Sequence, residues 1–463
     1  MKKLDTLPNP SLARVARVGA LSGSCQIVIM KVLTTSLHIA TVVFILSVAA
    51  PVSLHAQNTD MGSTGAEAGN ELRVWLVTAG PGSAVWERYG HNAIRVLNTS
   101  TGYDVSYNWG IFSFGQPVEF IIRFLQGRML YMMAPFDTQI MLDAYARDNR
   151  EVVLQELDLT ASEKLELQAF AENNALPENR DYAYQYFRDN CSTRVRDVLD
   201  MVLAGEFKET FSNTPTGKSY RWHTRRLTKV DPLIYAGMDA LLGPRTDTEL
   251  TIWDEMFLPL SLRDEIRDFK VVRPDGTVRN LVGSEEVAVS STRLKEATAP
   301  PSWLMRFLTL GMVFGLAFAS LRSSFVRKSA VRRRLIFGAA AAWSGIFGVL
   351  GMILLSLLFT DHTFSAWNEN LFLANPLLGV LSVALFMSCL DLTWQTRAQK
   401  LSAVCAAIAL VGLVWQITPI SGHENGAFFA LLLPGHLGLA WGLRADGTGI
   451  PEAYDAQASS ELD

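Results

Sequence analysis

The sequence predicts two unlike halves, an exported α+β domain followed by an all-α transmembrane domain of five helices. Three observations predict this. Near the N-terminus an apolar run from Met30 to about Val52 ends in Ser53-Leu54-His55-Ala56-Gln57, a small-residue site that reads as a signal peptide cut after Ala56. Strand patterns and then helical patterns fill the region after it. Five apolar segments of membrane-spanning length crowd the C-terminal part. The composition agrees, since 463 residues at 49% hydrophobic and 19% charged are too apolar for an ordinary soluble chain. A net charge of -4 offers no basic field to hold phosphates, which excludes nucleic acid as a partner.

Residues 1–56 are lead and signal peptide. Met30-Lys31 opens a signal of ordinary size, so translation is expected to start there, and an uncleaved anchor is the alternative. Residues 57–283 form the exported domain, large enough for its own core. Strands are expected at 71–80, 91–98 and 103–109, where β-branched and aromatic residues lie between glycine-rich breaks. Pro117 to Gln126 is expected to be a helix opened by its proline. Its apolar residues Phe120, Ile121, Ile122, Phe124 and Leu125, flanked by Arg123 and Arg128, suit either a lipid-facing lip or an ordinary core helix. Helices follow at Asp137 to Asn149 and Thr160 to Asn173, the latter with a Thr160/Glu163 capping box. Residues 284–301, rich in Ser, Thr, Glu, Ala and Pro, read as a linker into the membrane.

The spans are placed at about 303–321, 335–359, 372–390, 401–419 and 427–443, within a transmembrane domain at 302–443. Their loops set the orientation. Arg322, Arg327, Lys328, Arg332, Arg333 and Arg334 lie between the first two spans, whereas 361–371 holds no Lys or Arg. The cationic loop stays cytoplasmic because Lys and Arg cross a bilayer poorly. Alternation then puts 57–301, 361–371 and 420–426 outside, and the tail 444–463 in the cytoplasm. The last span is interrupted by Pro434 and His436.

Of four cysteines, Cys25 lies in the lead, Cys389 and Cys405 in spans, and Cys191 alone in the exported domain. No disulfide can form within that domain, so its thiol is either packed in the core or used for chemistry. Val195, Val198, Leu199, Val202 and Leu203 fall on one helical face, which puts Cys191 at a helix N-terminus. Unsatisfied backbone donors there favour a thiolate and an oxyanion. A base is then needed, and the exported domain holds two histidines. His91 follows Gly90 at the mouth of a strand, whereas His223 in Tyr-Arg-Trp-His-Thr-Arg-Arg reads as a surface residue. Asn108 on the next strand is a candidate to orient the imidazole, with Tyr107 and a backbone carbonyl as rivals.

These residues carry a family resemblance. Tyr-Gly-His-Asn-Ala-Ile-Arg-Val at 89–96, Tyr-Asn-Trp-Gly at 107–110, Tyr-Gln-Tyr-Phe-Arg-Asp-Asn-Cys-Ser-Thr-Arg-Val-Arg-Asp at 184–197 and Glu-Met-Phe-Leu-Pro at 255–259 look like the periplasmic domain of the bacterial lipoprotein N-acyltransferase family Lnb. The five-span block, with Asp361-His362 and Asn368 to Pro376 in its outward loop, resembles that family's membrane domain, so the likeness runs from about 70 to 443. His before Cys in chain order resembles circularly permuted NlpC/P60 and lecithin-retinol acyltransferase folds, which implies a papain-like α+β site. The resemblance makes Cys191 the nucleophile and His91 the base, and Asn108 is not carried over with the same assurance.

Tyr89, Asn190 and Arg194 within the motifs, and Asp361, His362, Asn368 and Asn370 in the loop, are candidate substrate-binding residues. No cofactor or metal is implied. The implied reaction moves an acyl chain from a phospholipid or other lipid donor, through a thioester, to the α-amine of a diacylglyceryl apolipoprotein. The implied place is the inner membrane, with the catalytic domain in the periplasm. A membrane-tethered cysteine hydrolase acting on peptidoglycan and a non-catalytic envelope scaffold are the competing readings.

Overall fold

The strand at Leu72–Ala79 (β1) is an interior strand of the molecule's larger sheet, and its side chains are buried on both faces. In this computed structural model, described over residues 67–112, 117–273 and 275–444, β1 pairs antiparallel with His91–Asn98 (β2), which pairs with Tyr103–Ile111 (β3). The lead, the signal peptide with its Ala56 site, Cys25 and the tail from residue 445 lie outside the described residues. The helix Pro117–Gln126 (α1) has the expected bounds, and the next strand, Leu130–Asp137 (β4), returns to pair with β3. Asp137 caps the helix Thr138–Arg147 (α2) through Ile140 N. Val152–Leu157 (β5) then pairs with the other edge of β1. Ala161–Asn174 (α3) opens on the Thr160/Glu163 capping box, and Asp181–Ala183 (β6) closes the far edge against β4.

Two apolar layers hold the sheet. On one face Leu72, Val74, Leu76, Ile94, Val96, Tyr107 and Trp109 meet Val195, Val198, Leu199 and Val202 of the helix Cys191–Val202 (α4). Leu262 and Ile266 of the helix Pro259–Arg267 join the same layer. On the other face Trp75, Val77, Ala79 and Ala93 meet Val152, Leu154 and Met141. Each fully buried Val, Leu or Ile contributes roughly 1.5–3 kcal/mol. The four helical valines and leucines named above therefore suffice to seat the N-terminus of α4 against the sheet.

Two expectations are corrected. Residues 284–289 are not linker: Val282–Val289 (β7) is the outer edge strand, paired with β5 from Val282↔Leu157 to Val289↔Val152. Its Glu285 and Glu286 made it read as a spacer, but charge on an edge strand blocks further pairing, and Glu285 is bound by Arg267 at 2.8 Å and by Gln155 at 2.7 Å. His223 is not at the surface. It is 1% exposed on the helix Tyr220–Thr228 (α5), where Arg226 Nε donates to its Nδ1 at 3.0 Å.

After the sheet domain the chain is helical. Among the described residues four helices are long and apolar enough to cross a membrane, Leu304–Arg322, Ala330–Phe359, Glu369–Leu390 and Leu392–Gln416. Gly426–Gly442 is shorter, at 17 residues. That is about 26 Å of helix. It packs along the first of the four by small-residue contact: Gly311 faces the Ala430 carbonyl, Gly315 that of Pro434, Gly438 that of Gly315, and Gly442 that of Phe318. Any Cβ would collide there, so glycine is what lets the two backbones touch.

The sheet domain and the helices form one unit from Glu71 onward. Their joint is the helix Pro232–Leu241 (α6). Ala240 belongs to the apolar core of the helical segment, and Tyr235 stacks on Trp303 at 5.2 Å. Gly243 N donates to Phe364 O at 2.7 Å, joining the stretch after α6 to the loop between the second and third long helices.

Candidate active site

His91 is presented by a turn that requires glycine. Gly90 has φ +82, and a Cβ there would lie 2.9 Å from Ala79 O. Ala79 is the register partner of His91 on β1. On the other side, Asn108 of β3 pairs with Ala93, one step along the same face of β2. The Asn108 amide is oriented by its Nδ2, which donates to Ser106 O at 2.9 Å, so that Oδ1 points at His91 Nε2 at 3.0 Å. This bond makes Nε2 the protonated ring nitrogen and leaves Nδ1 with its lone pair.

Cys191 begins α4. Its cap, Asn190, is fully engaged: Oδ1 accepts from Ser192 N at 2.8 Å and Thr193 N at 2.9 Å, and Nδ2 donates to Tyr186 O and Phe257 O, each at 3.0 Å. Ser192 Oγ donates to Met256 O at 2.7 Å. The Glu-Met-Phe-Leu-Pro motif thus supplies the carbonyls that seat the helix start. Gly110, two residues beyond Asn108 with φ +85, makes room for the thiol, because a Cβ there would stand 3.3 Å from Cys191 Cβ.

The backbone N–H of Asn92, next to His91, and those of Ser192 and Cys191 face the sulfur. Burial pushes the Cys191 thiol up, against the pull of these donors and of Arg150. Burial brings His91 down to about 4, with the Asn108 bond opposing and Arg150 assisting. The resting pair at neutral pH is therefore a thiol and a neutral imidazole.

Around the sulfur stands a wall of tyrosines that the sequence motifs only hinted at. Tyr131, Tyr145, Tyr182 and Tyr184 all feel the Cys191 charge, and burial raises each hydroxyl, Tyr131 and Tyr145 to about 12. Tyr131 stacks on Tyr184 at 4.0 Å and meets Phe112 at a tilt at 5.1 Å, and Phe112 meets the exposed Trp86 at 6.3 Å. The hint was the alternation Tyr182, Tyr184, Tyr186.

Of the other candidates, Arg194 lies near the site without entering it, paired with Asp189 and stacked over Tyr182 at 4.2 Å. Tyr89 packs against the cluster of Phe187, Tyr220, Phe257 and Phe364, and burial raises its hydroxyl to about 12 although Thr224 bonds it. The loop residues are not at the thiol. Asp361 Oδ2 accepts from Arg128 Nε at 2.6 Å, and His362 Nε2 bonds Phe124 O at 2.7 Å, both at the end of α1.

Asn368 and Asn370 are buried. Asn368 Nδ2 donates to Ala240 O at 2.9 Å and Leu242 O at 3.1 Å, Asn370 Nδ2 to Ala240 O at 3.0 Å, and Asn370 Oδ1 accepts from Asn425 at 3.0 Å. Asn190 is engaged in the same way. Their polar atoms already serve the fold.

Residues 64–227 match the family model described as the Lnb N-terminal periplasmic domain. Over those residues the chain is similar to the periplasmic domain of the Lnb family. The Lnb match contains His91, Asn108 and Cys191 and ends within α5, ahead of the helical segment. No curated protein and no solved structure matches the chain. Among the described residues no group of His, Cys, Asp or Glu is arranged to hold a metal ion.

Proposed function

We propose that this protein is a lipoprotein N-acyltransferase of the inner membrane that works through a thioester on Cys191. The observation that carries the reading is the grouping of a thiol at a helix start, a neutral histidine and an orienting asparagine in a domain bonded to the loops of an apolar helical bundle. His91 Nδ1 takes the Cys191 proton as the sulfur attacks a lipid acyl ester. The oxyanion of the tetrahedral intermediate is held by the backbone N–H groups at the start of α4. Collapse expels the lyso-lipid alkoxide, which takes the proton from His91, and leaves the acyl thioester. The α-amine of the diacylglyceryl cysteine then attacks the thioester, His91 receives its proton, and the thiolate leaves and is reprotonated. The permuted NlpC/P60-like arrangement is part of this proposal, with His91 on a strand preceding Cys191 on a helix.

Placement at a bilayer supports transfer to an amine over hydrolysis, because water must be held back from the thioester. Val118, Ile121, Ile122 and Leu125 of α1, spaced i, i+3, i+4 and i+7, are all exposed, so this stripe is not core. It is tied at its end to the loop after the second long helix by Arg128 and Phe124. We assign it to the outer bilayer surface. Counting Gly426–Gly442 as a fifth span puts the loops at 361–371 and 420–426 on the side of the catalytic domain, the periplasm, and the C-terminus in the cytoplasm. Support comes from contacts of both loops with that domain, Asn368 to Ala240 and Arg225 to Glu424 among them.

The test is mass spectrometry of a lipoprotein N-terminus from cells carrying wild type, Cys191→Ser or His91→Ala. Wild type gives the amide-linked acyl chain, and both variants lose it by more than about 10³-fold while remaining inserted. Retained N-acylation in Cys191→Ser overturns the nucleophile. Release of a peptidoglycan peptide by wild type, with no change at the lipoprotein, favours the hydrolase.

A further inference from the structure

We propose that Arg150 is a positioning residue of this site, whose buried and permanent positive charge joins the backbone donors in steadying the negative charge that forms on the Cys191 sulfur. This rests on the reading of Cys191 as the nucleophile. Arg150 is 6% exposed, unusual for a guanidinium, and follows Asn149, which turns the chain at φ +52 into β5. Its Nε donates to Gly80 O at 3.0 Å, one residue past the β1 partner of His91, so the charge sits at the same end of the sheet as the imidazole. The head lies over the Tyr145 ring at 4.9 Å.

Its one neighbouring carboxylate among the described residues is Glu87, whose Oε1 stands 3.8 Å from Nη1, and whose Oε2 accepts from Ala84 N at 3.0 Å. Nη2 is buried with no hydrogen-bond partner among the described residues. A buried cation so loosely paired is costly unless an anion appears within its reach. The side chains that interact electrostatically with Cys191 are Arg150 and Tyr131, Tyr145, Tyr182 and Tyr184, with His91 beside Asn92, whose N–H faces the sulfur, and the tyrosines are neutral throughout the working range. Arg150 is thus the fixed charge in the set, pulling the thiol down and the imidazole down together.

The experiment is alkylation of the full-length protein in detergent by iodoacetamide across pH, with modification of Cys191 followed by peptide mass spectrometry. Arg150→Met should slow alkylation about tenfold at pH 7 by moving the profile up about one unit. Arg150→Lys should stay within about threefold of wild type, since one unit is tenfold and most of the charge is kept. Glu87→Gln, which removes the opposing carboxylate, should move the profile the other way. A purely structural role for Arg150 would give no such opposite shift. Superimposed profiles for Arg150→Met and wild type overturn the proposal, and if Arg150→Met does not fold, an unmoved profile in Glu87→Gln does so alone. Failure of the nucleophile reading shows separately, as N-acylation that survives Cys191→Ser.

Discussion

Asn108 holds His91 by a single 3.0 Å bond from Oδ1 to Nε2, and Ser106 O fixes which end of the amide faces the ring. An amide carries no charge to stabilise an imidazolium, so its work is orientation and choice of tautomer. Asn108→Ala should lower the transfer rate about 10- to 100-fold, less than loss of His91, in a protein that still folds and inserts. Equal losses in Asn108→Ala and His91→Ala, measured on lipoprotein N-termini, would contradict an orienting role.

The pH response follows from burial. His91 sits at about 4 in the folded chain. In an unfolded chain it returns to about 6.5. Because the folded value is the lower one, its contribution to stability is complete above about 6.5 and is lost as pH falls from there to about 4. His223, brought down to about 2 by burial with Arg226 and Lys218 nearby, acts in the same direction. The melting temperature should therefore drop between pH 7.5 and 5, and His223→Gln should flatten that slope. Activity should persist to pH 5, with its acid limb near 4 and not near the ordinary histidine value.

The joint between the halves depends on amides and not on exposed charge. Asn370 is 0% exposed and bridges Ala240 O and Asn425. Asn370→Leu leaves the buried Asn425 amide unpaired, at about 1–3 kcal/mol, while Ala240 O keeps its bond from Asn368. It should expose the stretch 229–247 to trypsin. Arg128→Ala breaks a pair whose two side chains are 65% and 57% exposed, and should leave the digestion pattern unchanged.

Placement of α1 and of the loops can be read together. A spin label at Val118→Cys, in nanodiscs, should be accessible to oxygen and shielded from a water-soluble nickel chelate, since lipid dissolves the first and excludes the second. Strong nickel relaxation there would remove the bilayer assignment. A reporter fused after Arg334 should be active only in the cytoplasm, because the cationic loop resists transfer. Periplasmic activity of that fusion would reverse the topology.

What could be read from the sequence was whatever a short window contains. β1, β2 and the start of β3 alternate or run apolar between breaks, Thr160 and Glu163 cap within four residues, and the valines after Cys191 mark one helical face. The strand at Leu130–Asp137 was hidden by Met132, Met133 and Pro135, weak strand formers, and Val152–Leu157 by its six-residue length. Residues whose meaning lies in distant partners were misread. The basic stretch around His223 is buried because Asp239 and Asp247 pair with Arg221, and Glu296 with Arg226. Asn368 and Asn370 looked like free loop polarity because the carbonyls they bind lie about 130 residues earlier. Arg150 gave no local sign at all, since its burial comes from Gly80, Glu87 and Tyr145.

The Asn368 clamp also sets an order of events in biogenesis. The carbonyls of Ala240 and Leu242 find these donors on chain made 128 and 126 residues later, beyond two apolar helices. The sheet domain is thus made before the loop that supplies these donors, which follows the second of the long apolar helices. The fold is closed from its C-terminal side, so a chain truncated after Phe359 carries His91, Asn108 and Cys191 and yet lacks the loop that holds Ala240 and Leu242.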